Sequence, residues 1–514
     1  MEIKNLVTQQ TIIKETENYK LMFRYNPITD IGKFSIVSKS SGGHFATHSK
    51  VNILDNNGRL LSTELITVMH AKFIFENFEA RGDTESFNIY SSDLERGNLN
   101  AQKLKDNIKP SEIRHKTTAT EQSFTSTGDK LAYHWPIFKK YGDTGYGSII
   151  RATMTLHQVC SSHCHYCSTI GRNKKDSISL DEAKKFVTHL YDEQANFNRA
   201  TFKEYNDLYK SKTGSEIRLR GLVLSGGGQP NLWPYFEEFV EWLSTKNIEL
   251  GLITNGFPTK ISENIYKKFK WIRISITPED ASPHYPEKKF NKQYIPKSII
   301  SNKDITVGYS YVYGAWTDLD ILKRIDDSIN LNGFTYCRLL TDCNLPRSSQ
   351  LRSHAELAEI LFNNGYINSE GLPLKKLFHQ LKYHASAHEA DSIWNDGQCQ
   401  LQVYNVFWDT TGHESLGKSK CYSCDSITVL AEEGLGEVSN TPSERKFNPD
   451  KWGLVTNDLV SDLFTKPVAP YFDPRKICTA CLFTQNNLSV KKLSSINNYN
   501  SIDISSNLIH ANFP

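Results

Sequence analysis

No apolar run in this 514-residue chain approaches the roughly 18 residues that a membrane-spanning helix needs, so no bilayer span is expected. The first twenty residues are polar and mixed in charge, without the apolar core of a secretory signal, and a cytoplasmic location is expected. A strong charge of one sign is also missing. The net charge is +3, and residues 1–147 carry 19 Lys and Arg against 17 Asp and Glu, which gives no electrostatic footprint for a large nucleic-acid partner. Cysteine is sparse as well. Ten thiols in so long a chain exclude a disulfide scaffold, and none falls in the first 147 residues.

What cysteine there is falls into a pattern. Seven of the ten form one C-x3-C-x2-C triad, Cys160, Cys164 and Cys167, and two C-x2-C pairs, Cys421/Cys424 and Cys478/Cys481, spacing that favours metal over crosslinks. Three clustered thiols make an incomplete cage. A [4Fe-4S] cluster held by three thiolates keeps one iron open, whereas zinc would need a fourth ligand such as His157, His163 or His165.

The octet from Cys160 to Cys167, with Tyr166 before its last cysteine, resembles the signature of the radical S-adenosylmethionine (radical SAM) superfamily. Further landmarks follow in that family's order. Residues 221–225 read as a short buried strand running into Gly226-Gly227-Gly228-Gln229-Pro230, which is similar to the family's G-G-E-P segment with Gln229 in place of Glu. Residues 248–253 form a strand candidate closed by Thr254-Asn255-Gly256, and Ser275 sits near the end of the next, residues 271–276. Strand candidates at residues 307–313 and 334–340 complete the series.

The resemblance implies a partial (β/α)6 TIM-like barrel over residues 148–345, with the active site at the carboxyl ends of the strands. It implies a [4Fe-4S] cluster on Cys160, Cys164 and Cys167, with S-adenosylmethionine chelated at the open iron and cleaved to a 5′-deoxyadenosyl radical that abstracts a substrate hydrogen. Gly226, Gly227, Gly228, Gln229, Pro230, Tyr166, Thr254, Asn255 and Ser275 are the implied cofactor contacts. An electron donor such as flavodoxin or ferredoxin is implied too.

The flanking regions are read mostly from pattern. Residues 1–147 suggest an α+β domain, with strands at 19–25, 33–39 and 51–54, a turn at Asn57-Gly58 and a helix at 65–78. Residues 108–130 read as a mobile connection. Ser179 with Glu182 three residues on is a capping box opening a helix, and 192–214 reads as a solvated helical excursion or a substrate-facing insertion. Residues 346–395 read as a helical linker and 486–514 as a poorly ordered tail.

Cys399 followed by Leu401, Val403 and Val406, then Gly412 and a cysteine pair, resembles the hairpin opening of SPASM or twitch extensions, with Cys478/Cys481 closing it. A C-terminal domain over 396–485 is therefore expected to hold an auxiliary [4Fe-4S] cluster on Cys399, Cys421, Cys424, Cys478 and Cys481, with zinc as the alternative. Cys337 is expected to be a buried thiol. Cys343, just past the last strand, is a candidate hydrogen-atom donor, with inert packing as its other reading. Such extensions accompany peptide modification, so a peptide substrate is expected first and a small molecule or nucleoside next. A zinc-stabilised binding module is the reading from another class.

Overall fold

The computed structural model describes seven strands between residues 9 and 90 and, beyond them, residues 124–125, 128–162, 164, 166–167, 173–256, 261–276, 295–314, 317, 319–342, 347–367, 373–380, 398–417, 419–425, 455–456, 460–468, 483–496 and 508–514. The chain divides into two compact units, Met1–His115 and Lys116–Pro514. The boundary falls earlier than position 147 because helices Gly128–Tyr133 and Trp135–Thr144 bury Leu131, Trp135, Ile137 and Phe138 in the second unit's core. Lys130, at the end of the expected mobile connection, is itself buried.

In the first unit, β1 (Gln9–Glu15), β2 (Tyr19–Asn26), β3 (Ile31–Ser38) and β4 (His44–His48) form an antiparallel sheet in that order. A second sheet has the order β6-β5-β7, from β5 (Lys50–Leu54), β6 (Leu60–Leu65) and β7 (Asn88–Tyr90). All three strands expected from the sequence are present. The helix expected at 65–78 and the turn at Asn57-Gly58 lie outside the described residues.

The second unit is built on a ten-stranded sheet. Seven strands run parallel in sequence order: β8 (Arg151–Met154), β9 (Gly221–Leu224), β10 (Glu249–Thr254), β11 (Phe269–Ile276), β12 (Thr306–Tyr313), β13 (Cys337–Thr341) and β14 (Leu377–Gln380). Alternation divides their side chains between two faces. On one, Ala152, Met154, Leu222, Leu224, Leu250, Leu252, Ile272, Ile274, Tyr309, Tyr311 and Leu339 meet the apolar stripes of helices Leu180–Thr188, Phe236–Ser244 and Leu319–Asn332 in the main core. The first of these helices opens with the expected capping box, in which the Ser179 hydroxyl accepts from the Glu182 amide at 3.2 Å.

Three expectations change. The segment from 346 to 395 is not helical throughout: its helix ends at Asn363, and Leu377 and Phe378 belong to β14, which extends the sheet beside β13. The strand from Asn405 to Asp409 (β15) does not start a detached domain. It pairs in parallel with β8, and β16 (Lys420–Tyr422) and β17 (Val455–Thr456) follow antiparallel, so β8 becomes an interior strand between β9 and β15. Within the expected tail, residues 486–496 and 508–514 are packed rather than loose. Helix Thr484–Ser494 buries Val490 and Leu493. Past it, Phe513 packs edge-on against Trp271, the Pro514 carbonyl accepts from Arg151 at 3.1 Å, and the Ala511 carbonyl accepts from His134 at 3.0 Å. Apolar and hydrogen-bonding residues hidden in an Asn- and Ser-rich composition hold this segment down.

The insertion at 192–214 is helical with an exposed face, as expected, but its other face is buried. In helices Gln194–Thr201 and Lys203–Thr213, Gln194, Asn198 and Tyr209 are buried. The Gln194 amide both accepts from and donates to the Ile149 backbone, at 2.7 and 2.9 Å, which braces the chain as it enters β8.

Candidate active site

Parallel strands place their following loops on one edge of the sheet, and there the sequence landmarks converge. The loop after β8 carries Cys160, Cys164 and Cys167; the turn after β9 carries Gly226 to Pro230; β10 ends at Thr254, followed by Asn255 and Gly256; and Ser275 is half-buried near the end of β11.

Hydrogen bonds lace these pieces together. The Gly228 amide donates to the His157 carbonyl at 3.1 Å and the Gln229 amide to the Val159 carbonyl at 2.7 Å. In return, His157 Nε2–H donates to the Gln229 carbonyl at 2.7 Å, and burial holds this imidazole below its ordinary pKa. The Ser161 hydroxyl donates to Gln229 Oε1 at 2.8 Å, and the Asn255 amide donates to the hydroxyls of Ser161 and Ser162 at 3.1 and 2.7 Å. Thr254 donates to Asn231 Oδ1 at 3.1 Å and accepts from the Gly256 amide at 3.2 Å.

The close approach that the glycine segment permits is thus to the cysteine loop itself. A Cβ on Gly228 would overlap the Val159 carbonyl, and one on Gly227, whose φ is +55°, would strike the Gln158 side chain. Pro230 is buried and opens the short helical turn Pro230–Leu232. Tyr166 is half-buried in the turn before Cys167.

A further cluster comes from β15 and was not legible beforehand. Asp409, at its end, is buried and accepts on Oδ1 from the Thr155 hydroxyl at 3.2 Å, the Gln158 amide at 3.3 Å and the Thr411 backbone at 3.2 Å. Burial raises its pKa, with the nearby Asp176 adding to the rise. Gln158 also donates to the hydroxyls of Thr410 and Thr411, at 3.0 and 3.3 Å, so the loop after β15 grips the stem of the cysteine loop. The signal was present in Asp409-Thr410-Thr411-Gly412, a turn sequence closing an apolar run, but pairing with β8 across some 250 residues leaves no local trace.

Among the described residues, no three His, Cys, Asp or Glu side chains gather closely enough to cage a metal ion. The donor chemistry of the triad nevertheless fits an iron-sulfur cluster. Cys160, Cys164 and Cys167 are partly open, uncrosslinked thiols on one loop, and the Ser162 amide points at Cys160 Sγ from 3.4 Å. Gln229 adds a buried Nε2 with no partner among the described residues.

The second set of cysteines is divided. Cys399 and Cys424 pack with Tyr422 and Phe407 in one cluster, whereas Cys421, on the opposite face of β16, lies in the main core opposite Trp408. Burial pushes the thiols of Cys421 and Cys399 up in pKa. Cys337 is a fully buried core thiol. Cys343, Cys478 and Cys481 lie outside the described residues.

No family model and no curated protein matches the chain. Among solved structures, it is similar over 93% of its length to Streptococcus suis SuiB bound to the precursor peptide SuiA, covering 94% of that chain at 12% identity and a TM-score of 0.40. It is similar over 68% of its length to BtrN in complex with AdoMet and 2-DOIA, covering 93% of that chain at 10% identity and a TM-score of 0.27. Over 44% of its length it is similar to TYW1 with a lysine-pyruvate adduct bound, covering 80% of that chain at 14% identity and a TM-score of 0.25. At such identities and TM-scores these likenesses assign no residue here.

Proposed function

We propose that this protein is a radical SAM enzyme with its active site at the carboxyl edge of β8 to β11. The observation that carries the proposal is the hydrogen-bonded union of a C-x3-C-x2-C loop with the glycine turn of β9 and the Thr-Asn-Gly end of β10. Cys160, Cys164 and Cys167 would hold a [4Fe-4S] cluster, with S-adenosylmethionine between it and the segments at Gly226 to Gln229, Asn255 and Ser275. When bound, the pair supplies one-electron cleavage of the sulfonium and a 5′-deoxyadenosyl radical that takes hydrogen from substrate.

The chain's own part is to bind, orient and shield. The glycine turn and Asn255 hold the start of the cysteine loop on two sides and the Gln158–Asp409 contacts hold its stem on a third, so the loop that carries the three thiols is anchored at its base. Gln229 Nε2, without a partner among the described residues, offers a hydrogen bond to an acceptor on the cofactor. An electron donor of the flavodoxin or ferredoxin kind would dock on the same edge.

We further assign an auxiliary four-thiol site to Cys399, Cys424, Cys478 and Cys481, with Cys421 as a core thiol outside it. A peptide is the first substrate class, supported by the resemblance of the cysteine-bearing hairpin to SPASM and twitch extensions; a small molecule or nucleoside is second.

Anaerobic reconstitution tests the central reading. Triple replacement of Cys160, Cys164 and Cys167 by Ala should remove about half the iron and sulfide and all reductive formation of 5′-deoxyadenosine from S-adenosylmethionine. Zinc at the triad, or unchanged cleavage in the triple variant, would sink it.

A further inference from the structure

On the face of the sheet turned away from the main core, three neighbouring strands carry polar residues in register. Ser275 on β11 pairs with Ser310 on β12, and Ser310 pairs with Arg338 on β13. Ile274, Ile276, Tyr309, Tyr311, Cys337 and Leu339 on either side all enter the main core, so alternation turns this row to the opposite face.

Arg338 is the unusual member. It is half-buried, its Nε is closed off from solvent without a partner, and among the described residues nothing hydrogen-bonds or ion-pairs with its guanidinium. Burial and then the neighbouring Arg273 push its pKa down to about 9, against weaker opposing pulls from Tyr336, Asp425 and Cys337.

The other cations of this face are already engaged. Arg273 donates to Tyr336 Oη at 3.1 Å and to the Phe124 carbonyl at 2.8 Å, and Arg151 donates to the Pro514 carbonyl at 3.1 Å. Lys130 lies near Arg151 and Arg273, and Glu249 is the acid closest to it in effect. Asp425 acts on Arg338 only at a distance, with no carboxylate in contact among the described residues; a partly buried cation left without a contacting partner costs stability, and such a site suits an incoming anion.

We propose that Arg338 docks a carboxylate carried by the substrate. This deepens the enzyme reading above and rests on it for the word substrate. One free, planar guanidinium fork matches one carboxylate bidentately, whereas a phosphate dianion calls for a second free fork or a nest of backbone amides. Arg338 stands two strands from Ser275, about 10 Å along the row, which places the anion beside the expected cofactor position rather than on it. The substrate is thus an acid, held by its carboxylate across β12 and β13.

Thermal melts of the full chain, without S-adenosylmethionine or reconstituted cluster, test this at constant ionic strength. The probes are succinate, N-acetylglutamate α-amide, its neutral isostere N-acetylglutamine α-amide, and inorganic phosphate, each with the wild type and Arg338→Met. In the wild type, at least one carboxylate probe should raise the melting temperature, while the neutral amide and phosphate do not. A response to the glutamyl amide points to an acidic side chain in a peptide, and one to succinate alone to a free dicarboxylic acid. Arg338→Met should weaken the carboxylate response at least tenfold in half-saturating concentration, and should melt at or above the wild type without probe because the unpaired cation is gone.

A variant that melts well below the wild type, together with no carboxylate response in the wild type, would make Arg338 a structural residue and overturn the proposal. An equal response to phosphate and carboxylate, or one that survives the substitution, would overturn it too. Because no cofactor enters these melts, a failure here leaves the cluster reading standing, and a failure to load clusters leaves the melts interpretable.

Discussion

Replacing Gly228 by alanine perturbs the union of cysteine loop and glycine turn at one atom. The new methyl would overlap the Val159 carbonyl, which is backbone and cannot swing aside, so turn and loop must separate. Separation strains four hydrogen bonds: Gly228 N–H to His157 O, Gln229 N–H to Val159 O, His157 Nε2–H to Gln229 O, and Ser161 Oγ–H to Gln229 Oε1. At a net of about 0.5–1.5 kcal/mol each, and with neighbouring contacts failing together rather than additively, Gly228→Ala should cost about 2–4 kcal/mol. That is less than the roughly 5–15 kcal/mol by which domains are stable, so the chain still folds and the damage falls on the cysteine loop. The assay is iron and sulfide per chain after anaerobic reconstitution and desalting, in a Cys424→Ala background so that only the triad is counted, with a denaturant melt alongside. Most of the triad's iron should be lost. Full iron and an unchanged melt would refute the reasoning and show that the close approach of Gly228 to Val159 is not what holds the cysteine loop.

Gln229→Glu keeps the acceptor for Ser161 and should retain triad iron, whereas Gln229→Leu, which cannot accept from Ser161, should lower it; equal retention in both would show that this bond is dispensable. Cys421→Val should leave the auxiliary iron intact because its thiol faces the main core, while Cys424→Ala removes it; loss of iron in the valine variant would return Cys421 to the ligand set. Phe513→Ala should destabilise the second unit by about 3 kcal/mol in urea titration, the ordinary cost of emptying a buried aromatic site, and a change within error would mean the terminal segment contributes nothing. Asp409 has its pKa raised by burial, so the folded state favours the protonated form: its contribution to stability is fully present below the ordinary aspartate pKa and is lost as pH rises through the raised value. Asp409→Asn should therefore gain on the wild type in melting temperature as pH rises above the ordinary aspartate range; a constant gap across pH would remove Asp409 as the source.

Local chemistry made much of the site legible. The thiol spacing, the glycine turn and Thr254-Asn255-Gly256 each sit within a few residues, and strand alternation alone predicts where β9 to β12 begin and end to within a few positions. What escaped depends on partners far away in sequence. Asp409 reads as an ordinary strand end until β15 is seen against β8, and Arg338 reads as one polar residue in an apolar strand until its neighbours on β11 and β12 are in register. The terminal segment was misread because its composition is polar, although His510 and Phe513 are aromatic anchors and the Ala511 and Pro514 carbonyls accept from buried donors. Cys421 and Cys424 look equivalent as a pair, and only the separate clusters they join, Cys421 from β16 in the main core and Cys424 beyond the strand with Cys399, tell them apart.

The placement of β15 beside β8 has a consequence for the order in which the protein is made. Gln158 and Asp409 are 251 residues apart, and at roughly 5–20 residues per second a ribosome takes about 12–50 s to pass from one to the other. Through that interval the cysteine loop already exists, but the wall that closes over its stem does not. Thiols that are partly open in the finished fold are more open then, to iron and sulfide donors and to oxidants alike. Slowing translation between these positions should therefore alter how much cluster the protein acquires in the cell without altering its final sequence or fold.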